Sequence, residues 1–113
     1  MMTDQKKIDE IVDDYAKAAS FDYVGLWQII KRVGREFGLP ERSENKKLVL
    51  QIINELLSAG LEAVTLSSSG PGCIPWQNQD SSYVLNRIST EWDNLGRDPN
   101  PGEIVWLNNK RNA

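Results

Sequence analysis

The run Glu91-Trp92-Asp93-Asn94-Leu95-Gly96-Arg97-Asp98-Pro99-Asn100-Pro101-Gly102-Glu103-Ile104-Val105-Trp106-Leu107 constrains the fold more than any other part of the chain. Val84, Leu85, Ile88, Trp92 and Leu95 recur on one face of a helix over 82–95, and Gly96 ends it. Asp98 to Gly102 makes a stiff turn, because each proline fixes its own φ and restrains the residue before it. Glu103 to Leu107 then reads as a last strand, and so short a strand needs a partner for its backbone groups. Leu61-Glu62-Ala63-Val64-Thr65-Leu66 is β-prone and is the expected antiparallel neighbour.

Upstream, Ile8, Ile11, Val12, Tyr15 and Ala19 line one face of a helix over 4–18, with Thr3 as its cap. Asp22 is the expected cap of a second helix, in which Leu26, Ile29, Ile30, Val33 and Phe37 share a face. Gly38 closes that helix and Pro40 blocks its continuation. Ser43 is expected to cap a third helix over 44–59. Its apolar set (Leu48, Val49, Leu50, Ile52, Ile53, Leu56 and Leu57) is too wide for one stripe, so it is expected at the centre of the fold. Ser67 to Gln79 reads as a loop, with Ile74 and Trp76 folding back on the core. Residues 108–113 are an expected frayed tail.

These elements make one α+β domain over 1–113, mainly helical, with about four helices and a small antiparallel sheet. The third helix running through Gly60 into a strand is loosely winged-helix-like. The short second helix of such a domain would have to come from 39–45, where Pro40 leaves little room. Trp92, with at least one of Trp27 and Trp106, is expected to be largely buried.

What the chain lacks narrows its chemistry. It holds no histidine, so Ser-His-Asp and Cys-His catalysis and His-ligated metals are excluded. One cysteine, Cys73, makes neither an intrachain disulfide nor a thiolate metal site, and no base stands near it in sequence. There is no P-loop and no G-x-G-x-x-G. The carboxylate pairs Asp9/Asp13 and Glu10/Asp14 share a helix face but lack an EF-hand loop. No enzyme activity, metal or cofactor is therefore expected. A small enzyme working through carboxylates, Lys or Tyr is the third reading. No membrane span is present, the start lacks a signal peptide's apolar core, and a cytoplasmic location is the default.

Charge is uneven around a net −3. Asp80, Glu91, Asp93, Asp98 and Glu103 outnumber Arg87 and Arg97 over 80–103 and are the candidate partner-binding residues. Lys31, Arg32, Arg35, Arg42, Lys46 and Lys47 flank the 37–45 turn and are the alternative, a nucleic-acid-binding patch diluted by Glu36, Glu41 and Glu44. The bland reading of both is solvated helix faces. The net acidity makes nucleic acid the less favoured partner.

Asp22 to Ile29, Leu50 to Gly60, Pro75-Trp76, and Arg87-Ile88 through Glu91-Trp92, Leu95-Gly96-Arg97, Pro99 and Gly102 to Trp106 together resemble a recurrent type of small uncharacterised bacterial protein. That type is similar to the immunity proteins that accompany bacterial toxins, including those of contact-dependent growth inhibition. The resemblance implies a non-enzymatic immunity protein that binds and neutralises a cognate toxin, often a nuclease with a basic active site. The alternative is a winged-helix nucleic-acid-binding regulator. On the first reading, reversing Asp98 and Glu103 to Lys is expected to slow association and leave stability little changed.

Overall fold

The computed structural model describes residues 5–38, 42–66 and 73–109. Four helices and a four-stranded antiparallel sheet follow in the order α1 (Gln5–Ala18), β1 (Val24–Gly25), α2 (Leu26–Phe37), α3 (Arg42–Ser58), β2 (Leu61–Leu66), β3 (Cys73–Pro75), α4 (Ser81–Leu95) and β4 (Trp106–Asn109). The α+β class is as the sequence predicts. Thr3, Pro40, Glu41 and residues 67–72 and 110–113 lie outside the described residues, as does the side chain of Arg42.

The sheet order is β1-β4-β2-β3. The strand at 61–66 does pair antiparallel with the last strand, through Ala63↔Leu107 and Val64↔Trp106. That last strand is displaced two to three residues along the chain from the expected 103–107. Ile104 adopts φ 69, a left-handed conformation that a β-branched residue rarely takes and that no strand accommodates. Pairing starts at Trp106 instead and runs on through Asn108 and Asn109, opposite Glu62 and Leu61. Asn108 and Asn109 thus belong to the sheet, not to a frayed tail.

Two strands are missing from the sequence reading. β1 is only two residues long, against β4, and it moves the start of α2 from Asp22 to Gly25. There the Gln28 Oε1 accepts from the Gly25 N–H at 2.7 Å, while Asp22 merely accepts from Tyr23 N–H. β3 lies in the expected loop and ends at Pro75. Gln79 then extends the ladder with a side chain: its amide accepts from Ala63 N–H at 2.9 Å and donates to Ala63 O at 2.8 Å. This places the Ala63 groups on the β3 side, so Val64 turns its own groups toward β4. Pro75, opposite Val64, therefore costs the ladder no donor.

With β1 in place, α1, β1, α2, α3 and β2 follow one another, and residues 42–45 belong to α3. β3 and α4 lie in sequence between the paired strands β2 and β4. α3 packs against α1, α2, α4 and β2, the central place its wide apolar set predicts. Ser43 lies within its first turn and is not its cap. The core joins Ile8, Ile29, Val49, Ile52, Leu56, Ile88 and Trp92 to the inward strand residues Val24, Ala63 and Leu107. Trp76 also folds in, donating to Thr65 Oγ1 at 3.1 Å, whereas Ile74 is left exposed. Trp92 is buried, and Trp27 and Trp106 are half-buried.

Candidate functional site

α4 and the turn that follows carry the five acidic candidates, and each has a structural task. Asp80 is the N-cap of α4 and accepts from Tyr83 N–H. Glu91 accepts from Arg87 Nε at 2.7 Å, and the Arg87 guanidinium lies 3.8 Å from the centre of the Trp76 ring. Asp93 reaches across to α3, where Lys46 Nζ donates to it at 2.6 Å. Asp98 accepts from Trp92 Nε1 at 3.2 Å. Glu103 receives both Arg97 amino groups, at 2.7 and 3.0 Å, and the Asn100 N–H at 2.6 Å.

These tasks explain why the turn keeps its shape after Gly96, at φ 68, ends the helix. They also divide the acidic set. Asp98 and Glu103 share the turn, and Asp93 lies on the last turns of α4 that lead into it. Glu91 faces the Arg87–Trp76 stack, and Asp80 stands at the far end of the helix, roughly 20 Å away at 1.5 Å per residue.

The Glu103 carboxyl is held well below its usual 4.5, at about 2, chiefly by the Arg97 hydrogen bonds and then by the Asn100 N–H. The same pairing raises Arg97. A carboxyl with a lowered folded pKa contributes stability above its unfolded value and loses it as pH falls. The stability gap between the wild type and Glu103→Gln should therefore be full above about pH 4.5 and close as pH falls toward about 2. Denaturant melts at intervals across that window measure it.

The basic candidates are also divided. Arg32 pairs with Asp14 of α1 at 2.7 Å and with Glu36 on its own helix, tying α1 to α2. Lys46 is occupied by Asp93 and the Ser89 carbonyl. Lys31 lies over the Trp27 ring, 5.4 Å from its centre. Arg35 and Lys47 are exposed. On α3, Lys47 shares an exposed line with Gln51, Asn54 and Ser58.

Sequence reasoning missed Glu62, Gln79 and Gly25. Glu62 alone carried a signal, a charge in the middle of a β-prone apolar run. Among the described residues no helix is long and apolar enough to cross a membrane. Comparison with family models, curated proteins and solved structures gives no match to this chain. The likeness to immunity proteins rests on the residues of the sequence alone.

Proposed function

We propose that the chain is a non-enzymatic immunity protein that binds and blocks a basic toxin domain. The observation that supports this is the braced acidic surface where α4 ends. Asp93, Asp98 and Glu103 are held by Lys46, Trp92 and Arg97, so a partner meets carboxylates already fixed in place. Fixed groups lose little freedom on binding, and their outward oxygens are placed to accept from a basic partner.

The bracing changes which variants test the idea. Reversing Asp98 and Glu103 would break the turn, contrary to the expectation of little change in stability. Asp93 is a better probe, with 70 % of its side chain exposed although it pairs with Lys46. Stopped-flow association with the polypeptide encoded immediately upstream should slow in Asp93→Asn and lose part of its salt dependence. No binding of that polypeptide by the wild type overturns the reading.

A second reading is favoured by the exposed Lys47, Gln51, Asn54 and Ser58 on α3, residue types suited to base edges and phosphates. Salt-sensitive binding to duplex DNA, weakened by Lys47→Ala, would put the regulator first.

A further inference from the structure

Strand alternation places Glu62, Val64, Trp106, Asn108 and Gly25 together on the outward face of the sheet. Trp27 folds over Gly25 on that face: a Cβ at Gly25 would meet Trp27 Nε1 at 2.7 Å and the Trp106 ring at 3.1 Å. Glu62 is 8 % exposed, and its Oε2 has no hydrogen-bond partner among the described residues. Trp27 Nε1 is equally buried and equally without an acceptor. Native interiors rarely leave such groups unmatched, and a carboxylate is the most costly of them to leave so. Glu62 and Trp106 are diagonal neighbours on one face of β2 and β4, within the reach of long side chains, so a flat cation held by the carboxylate can extend toward the indole.

We propose that this face is a receptor for one guanidinium group, presented by an arginine of the basic protein partner. The proposal deepens the immunity reading and rests on it. Glu62 accepts the guanidinium hydrogen bonds and the Trp106 indole stacks on its plane. Guanidinium is favoured over ammonium because its flat fork matches a carboxylate, lies on an aromatic face and sheds water more readily. β4 separates β1 from β2, so Trp27 and Glu62 stand on the order of 10 Å apart. An arginine head at Glu62 then brings its own peptide carbonyl toward the Trp27 N–H. A phosphate would meet repulsion from Glu62.

The test follows the indole N–H resonances of the tryptophans by NMR during titration with N-acetyl-arginine methylamide. Trp27 and Trp106 should shift and saturate, while Trp92 stays still. The neutral citrulline analogue, or the Glu62→Gln variant, should bind at least about tenfold more weakly, the loss expected for a charge-assisted bond. Trp27→Phe removes the N–H donor together with part of the ring, so it serves should Glu62→Gln fail to fold. It should weaken the arginine probe and the citrulline probe alike in packing, but only the arginine probe in its Glu62-dependent part. Equal shifts with arginine and citrulline, or no saturation, would mean that the two buried atoms hold water only, and would overturn the site. In calorimetry against the polypeptide encoded upstream, Glu62→Gln should bind at least about tenfold more weakly than the wild type. Equal binding by both overturns the site and leaves the inhibitor reading standing. No binding by the wild type, alongside a Glu62-dependent arginine shift, overturns the inhibitor reading and leaves the site.

Discussion

Trp92→Ala is expected to lower the unfolding free energy by about 3–5 kcal/mol, the cost of emptying a large aromatic site in a packed core. Trp92 is 1 % exposed and joins α4 to the core beside Ile88. Its indole does more than fill space. The Nε1–H holds Asp98, the first residue of the stiff turn, so the truncation also releases the start of the loop that leads into β4. Lys46 Nζ lies 5.8 Å from the centre of the same ring, which gives the α3–α4 contact a further share. Trp92→Phe separates the two roles. It keeps most of the packing and loses the hydrogen bond, so it should fall between the wild type and the alanine variant in urea melts. A near-zero loss in Trp92→Ala would show that the turn and core do not depend on it.

The helices were legible because their apolar spacing is strong and their ends are marked. Gly38, Gly60 and Gly96 all take positive φ at the stops where the sequence places them. The pairing of 61–66 with the last strand was legible from β-propensity and from the need of short strands for partners. What sequence could not show was set by tertiary contacts. β1 has two residues, and nothing local distinguishes Val24-Gly25 from a turn; β4 alone makes it a strand. The last strand was misplaced because Glu103-Ile104-Val105 has the composition of a strand. Arg97 and the Asn100 N–H hold Glu103 in the turn instead, and Ile104 pays with a positive φ.

The candidate site was legible only as composition. Asp80, Glu91, Asp93, Asp98 and Glu103 are close in sequence, but a helix spreads its residues round its axis and along its length. Each acid also found an internal donor, from a backbone N–H to an indole, which charge counting does not foresee. The same holds for Arg32 and Lys46, whose partners Asp14 and Asp93 are far off in sequence. Glu62 is the opposite case: a single acid in an apolar run proves to be a buried carboxylate whose Oε2 has no partner among the described residues.

Gly25→Ala is expected to destabilise the protein by about 1–3 kcal/mol, the usual range for forcing an extra methyl into a packed place. The backbone itself raises no objection, since φ −86 and ψ 149 suit any residue. The penalty comes from the Trp27 indole, whose Nε1 and Cδ1 lie 2.7 and 2.8 Å from the added carbon. Trp106 stands behind it at 3.1 Å, so the two rings cannot simply slide together. Trp27 must swing outward and expose apolar ring surface. Gly25 also begins α2 and ends β1, so any backbone shift strains the Gln28 cap and the pairing with Trp106 at once. The double variant Gly25→Ala/Trp27→Ala decides between these causes. If the indole clash dominates, adding Trp27→Ala to Gly25→Ala costs clearly less than Trp27→Ala costs alone. If the two losses simply add, strain at the helix start accounts for the effect, and the close seat of Trp27 on Gly25 is not what makes glycine necessary there.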